Sequence, residues 1–92
     1  MNHLIDLNLS NNSIKDLKPL YNEENFKNLK YLNLSNNKAV DLLGIKIPNL
    51  QRLILNHNFI ENLSGFEGHP KLQKLELVGN KINSTVQFIS MP

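Results

Sequence analysis

One phrase occurs four times in this chain, and its spacing leaves few folds open. Leucines at 50, 53 and 55 are followed by Asn58, Ile60 and Leu63. The same register runs through Leu4, Leu7, Leu9, Asn12, Ile14 and Leu17, then through Leu29, Leu32, Leu34, Asn37, Ala39 and Leu42. It returns in Leu72, Leu75, Leu77, Asn80 and Ile82. A unit this small cannot bury its apolar face alone. Copies must stack, each covering the next, into a solenoid with one continuous core. Stacking also answers a difficulty of size, because a globule of 92 residues buries only a modest core. The length allows one domain, residues 1–92, with repeats at about 4–28, 29–49, 50–71 and 72–92.

Each repeat begins with an alternating segment: LIDLNL, LKYLNL, LQRLIL and LQKLEL. Alternation of apolar and polar residues means one face buried and one exposed, which is a short β-strand. Every repeat sends its strand the same way, so the four should stack as a parallel sheet with leucines inward. The residues between the leucines then line the outer, concave face in three columns. Asp6, Tyr31, Arg52 and Lys74 form the first, and Asn8, Asn33, Ile54 and Glu76 the second. Ser10, Ser35, Asn56 and Val78 form the third.

Asn12, Asn37, Asn58 and Asn80 recur at the turn that follows each strand. A buried turn leaves backbone amides and carbonyls needing partners, and a carboxamide offers both a donor and an acceptor. These four are therefore expected to be structural, forming a ladder bonded to neighbouring repeats.

First leucines at 4, 29, 50 and 72 give repeat lengths of 25, 21 and 22 residues. After strand and turn, about ten residues remain for the convex return, too few for a long helix, so 3₁₀ or single-turn pieces are expected. Apolar anchors three apart fit such a path: Leu17 with Leu20, Leu42 with Ile45, Leu63 with Phe66. In the longer first repeat, Asn22 or Glu23 is placed to start a one-turn helix with Phe26 packing inward. Pro48 and Pro70 stand two residues before the next leucine, where extended geometry is expected. Gly44, Gly65 and Gly68 mark bends of the return path. Neither Leu4 nor the stretch after Phe88 carries a cap, so the segment is expected to be part of a longer chain.

With 40% hydrophobic and 20% charged residues, the chain is too apolar for disorder. A net charge of +2, spread along the sequence, supplies no basic block for nucleic acid or a membrane surface. The absence of cysteine removes disulfides and Cys-based zinc sites, and points to a reducing compartment. No apolar run approaches the ~20 residues of a membrane span. The opening MNHLIDLNLS has neither a basic n-region nor an apolar h-region, so an intracellular setting is expected.

The four repeats, with the pattern L-x-x-L-x-L-x-x-N-x-I-x-x-L-x-x-(L/F), resemble the leucine-rich repeat family over essentially the whole chain. The short repeats look most similar to its intracellular SDS22-like class, although the 25-residue first repeat departs from the class length. The resemblance implies an α/β leucine-rich repeat solenoid, curved and right-handed, with about four short parallel strands on the concave face and irregular or 3₁₀ segments on the convex face. It further implies a protein-binding scaffold without catalysis or cofactor, working as a subunit of a larger complex. Within the class, Gly65–Ile82 is similar to a repeat of the leucine-rich repeat protein of the ciliary radial spoke, through its His-Pro-Lys-Leu start and Gly-Asn-Lys-Ile turn. That likeness implies a cytoplasmic, axonemal component. The alternative it leaves is a regulatory subunit holding a protein phosphatase or another enzyme on its concave face.

The residues themselves argue against chemistry. No nucleophilic cysteine, G-x-S-x-G turn or Gly-rich phosphate loop is present. His3, His57 and His69 have no carboxylate at metal-ligand spacing. Asp6 and Glu76 lie three strands apart, about 14 Å, too far for a carboxylate pair. Triplets such as Asn33-Leu34-Ser35 and Asn83-Ser84-Thr85 read as by-products of the repeated phrase, not as glycan acceptors. Lys30, Arg52 and Lys74 are interrupted by Asp6 and Glu76, with no stacking platform for nucleic acid. The expected site is the concave face: Asp6, Asn8, Tyr31, Asn33, Arg52, Ile54, Lys74 and Glu76. Tyr31, Arg52 and Ile54 sit at its centre as an aromatic, a guanidinium and an exposed aliphatic.

Overall fold

The structure, a computed structural model, describes residues 4–17, 26–42, 45–61, 63, 66 and 69–82. Four strands of three residues each make one parallel sheet in chain order: β1 (Asp6–Asn8), β2 (Tyr31–Asn33), β3 (Arg52–Ile54) and β4 (Lys74–Glu76). The strands are short because only the x-L-x centre of each repeat lies flat. Beyond it the next leucine already turns into the core. Register follows the repeats, with Leu7 beside Leu32, Leu32 beside Leu53, and Leu53 beside Leu75.

At the start of each pairing one carbonyl accepts two consecutive N–H groups from the next repeat. Ile5 O takes those of Lys30 and Tyr31, Lys30 O those of Gln51 and Arg52, and Gln51 O those of Gln73 and Lys74. The rung is thus repeated without change from one repeat to the next.

Burial follows from stacking. Leu29, Leu32, Leu34, Leu50, Leu53, Leu55 and Ile60, in repeats covered on both sides, are fully buried. Leu4, Leu7, Leu9 and Ile14 on one side, and Leu75, Leu77 and Ile82 on the other, are only partly buried against them. A repeat with one neighbour loses half its cover.

Each strand leaves through a left-handed residue, Asn11 at φ 62°, Asn36 at 59°, His57 at 61° and Gly79 at 76°. Asn and His are among the side chains that tolerate this region, and Gly has no Cβ to clash. The next residue is the recurrent asparagine. Asn58 Nδ2 donates to Leu34 O in the preceding repeat at 2.9 Å and to Leu55 O in its own at 3.1 Å. Its Oδ1 accepts the Ala39 N–H at 3.1 Å. Asn37 does the same with Leu9 O, Leu34 O and Ile14 N–H, and Asn80 with Leu55 O, Leu77 O and Ile60 N–H. Among the described residues Asn12 reaches Leu9 O and Ser10 O, both of its own repeat.

One local expectation is corrected on the convex side. Pro48 and Pro70 are not in extended chain. Each occupies the second position of a β-turn closed by Leu50 N–H to Ile47 O at 3.0 Å and by Leu72 N–H to His69 O at 3.1 Å. Proline's fixed φ suits that position, and its missing N–H costs nothing there. Among the described residues the return path is irregular, as expected, with three-residue-spaced turns such as Phe66 N–H to Leu63 O at 3.2 Å. Phe26 is buried, and Leu29 N–H bonds to Phe26 O at 3.1 Å. The expected helix start at Asn22 or Glu23, and Leu20, Gly44, Gly65, Gly68, His3 and Asn83–Thr85, lie outside the described residues.

Candidate functional site

Parallel pairing in register places the outward residues of β1 to β4 side by side: Asp6 by Tyr31, Tyr31 by Arg52, Arg52 by Lys74. The second column pairs Asn8 with Asn33, Asn33 with Ile54, and Ile54 with Glu76. A shallow hollow of ≈ 390 Å³ opens over the first three strands. Asp6, Asn8, Tyr31, Asn33, Arg52 and Ile54 line it, with the backbone side of Leu32 as its floor. Lys74 and Glu76 stand outside it and engage one another on β4, Nζ to Oε2 at 3.4 Å.

The side chains in these columns are not equally available. Asn8 Oδ1 accepts both the N–H and the hydroxyl of Ser10, at 2.9 and 2.6 Å. Asn33 Oδ1 accepts the Ser35 N–H at 3.0 Å, and Ser35 itself is buried. Both asparagines therefore brace the strand ends. Asn56 Nδ2 donates to Glu76 Oε1 at 3.1 Å while its Oδ1 accepts the Val78 N–H at 2.9 Å. The Asn56 amide is the main reason the Glu76 carboxyl is held below its ordinary value of 4.5; partial burial opposes it, and Lys74 and Arg52 reinforce it.

What remains for a partner is the centre. Tyr31 is 39% exposed, Ile54 is half-buried beside it, and the Arg52 guanidinium makes no ion pair among the described residues. Asp6 lies on the other side of Tyr31, two strands (about 10 Å) from Arg52. An aromatic body thus stands between two side chains of opposite charge.

The two described histidines have structural places. His57 is a left-handed turn residue, and His69 is buried, stacked on Phe66 at 4.7 Å between ring centres with 16° between planes. His69 Nε2 accepts the Ile47 N–H of the preceding repeat at 3.2 Å. Among the described residues no three His, Cys, Asp or Glu side chains gather where they could hold a metal ion. Nor is any helix among them long and apolar enough to cross a membrane. Sequence reasoning missed Asn56 as the link between β3 and Glu76. Its register position was visible, but its partner is 20 residues away.

Comparison with known proteins agrees with this geometry. The family model described as "Leucine Rich repeats (2 copies)" matches residues 2–46 and again residues 48–90. An uncharacterised leucine-rich repeat-containing protein of Schizosaccharomyces pombe is 34% identical over 88 residues, which is 92% of this chain. The chain spans 14% of that relative's length. No solved structure gives a significant match.

Proposed function

Because the chain belongs to the leucine-rich repeat family, whose domains generally mediate protein–protein interaction, we propose that it binds a protein partner through the concave hollow centred on Tyr31, Arg52 and Ile54. The carrying observation is Arg52, without an ion pair among the described residues, beside a half-exposed tyrosine, on a surface whose other described polar groups are largely engaged within the repeats. Tyr and Arg dominate the energetics of such contacts because they combine area with a polar tip. The chain acts as a non-catalytic scaffold within a larger intracellular assembly. The axonemal setting is supported by the likeness of Gly65–Ile82 to the radial-spoke repeat, and the phosphatase-regulator alternative by the class likeness alone.

Affinity purification of the tagged protein from its own cells, with partners identified by mass spectrometry, tests the setting. Spoke or dynein components support the axonemal reading, and a phosphatase catalytic subunit without them supports the regulatory one. The concave contact is tested on the recovered partner by titration. Tyr31→Ala and Arg52→Ala should each weaken binding about tenfold or more. Unchanged affinity in the double variant rejects the concave site.

A further inference from the structure

A second hollow, of ≈ 510 Å³, lies off the concave face, along the rim where the strands begin. Two stacked columns border it: Asn28, Asn49 and Lys71 from the turns before the strands, and Ile5, Lys30 and Gln51 from the first positions after the leading leucines. Its charged groups are two ammoniums, its polar groups are three carboxamides, and the described residues that line it include no carboxylate. The described carboxylates sit elsewhere, on the strands at Asp6 and Glu76 and beyond the strand-exit turns at Asp16, Asp41 and Glu61.

The trough is ordered across three repeats. Asn49 Nδ2 donates to Lys27 O of the preceding repeat, while its Oδ1 accepts from Lys71 Nζ of the following one at 2.8 Å. That bond uses one of the three ammonium donors and anchors the head group, so two donors remain for a ligand. Lys30, one column inward, makes no ion pair among the described residues. Ile5, 49% exposed, supplies an apolar wall at the far end.

We propose that this rim trough docks an acidic peptide segment of a partner protein, its carboxylates on Lys30 and Lys71 and an apolar side chain against Ile5. Positive charge with no carboxylate among the described lining residues selects for acidic sequence and speeds encounter. The Gln51 carboxamide adds a neutral donor and acceptor along an extended chain. Because the trough and the concave hollow are lined by different residues, the two surfaces can hold one partner at two points or two partners at once.

The test is fluorescence anisotropy on the protein with a labelled peptide of alternating Glu and Leu, and with a Lys-for-Glu peptide as control. The Glu peptide should bind and weaken steeply between low and physiological salt, as screening shortens to about 8 Å. K30E together with K71E should reduce its affinity at least tenfold, while Y31A with R52A, in the concave hollow, should leave it unchanged. Circular dichroism of each variant confirms that the fold is kept. Should the double reversal alter the fold, the milder K30Q with K71Q decides. Binding indifferent to both pairs of rim substitutions overturns the proposal, as does absence of binding, and so does stronger competition by an oligonucleotide or polyphosphate than by unlabelled peptide. Loss with Y31A and R52A but not with the rim variants assigns the peptide to the concave hollow and leaves that reading standing alone.

Discussion

The imidazole of His57 lies over Gly79, so close that a methyl group built on the glycine would stand 2.9 Å from His57 Cε1 and nearer still to Nδ1. The two residues hold the same place in successive repeats, the left-handed exit from β3 and from β4. A ring in one repeat is thus accommodated by the missing side chain of the next.

Gly79→Ala should destabilise the protein by about 1–2 kcal/mol from the left-handed backbone alone, with the displaced ring adding to it. Gly79→Asn should cost less at the backbone, as Asn36 holds the same conformation at φ 59°. Urea denaturation midpoints measure both. Repeating Gly79→Ala in a His57→Ala background separates the steric part, and an equal loss in both backgrounds would mean the ring is irrelevant.

Asn58→Ala removes a buried carboxamide that satisfies two carbonyls and one N–H in two repeats. At about 1–3 kcal/mol per buried group left unsatisfied, the loss should be several kcal/mol. Asn12→Ala, at an exposed position whose described bonds lie inside its own repeat, should cost well under half as much. Comparable losses at both sites would contradict the inter-repeat role of the ladder.

Leu53→Ala opens a cavity at a fully buried site and should cost about 2–5 kcal/mol. Leu7, the same position in the first described repeat, is only partly buried, and its alanine variant should fall at or below the lower end of that range. The thermal midpoints of the two variants give the order directly.

His69→Phe keeps a ring to stack on Phe66 but deprives the buried Ile47 N–H of its acceptor. A loss of about 1–3 kcal/mol is expected in chemical denaturation. No loss would mean that stacking alone explains the residue.

The depressed pKa of Glu76 links one bond to pH. With its folded value below the unfolded one, its contribution is full above the unfolded value, about 4.5, and is lost as pH falls through the lower folded value. Carboxyl NMR titration should place Glu76 below the ordinary glutamate value of 4.5. Asn56→Ala should move it upward, because the Asn56 amide is the leading cause. An unmoved titration would assign the shift to Lys74 instead.

Much of the fold was legible because its causes are local or periodic. Period-two alternation located all four strands, and Leu53 and Leu32 were readable as core from spacing alone. The concave columns followed, since strands stacked in register must align Asp6, Tyr31, Arg52 and Lys74. The convex path was less legible. Spacing of three is shared by a 3₁₀ helix and by isolated turns, and Pro48 and Pro70 fit a turn as readily as extended chain.

The sequence by itself determined the architecture and which face each side chain occupies, because both follow from side-chain direction along a strand and from repetition. Only the tertiary structure decided which polar groups on that face are already used. Asn33 in the second column holds Ser35 of its own repeat, while Asn56 in the third holds Val78 and Glu76 of the next. Lys71 is anchored by Asn49, and Arg52 makes no ion pair among the described residues. Such bonds depend on distances between atoms 20 or more residues apart, which stacking alone establishes.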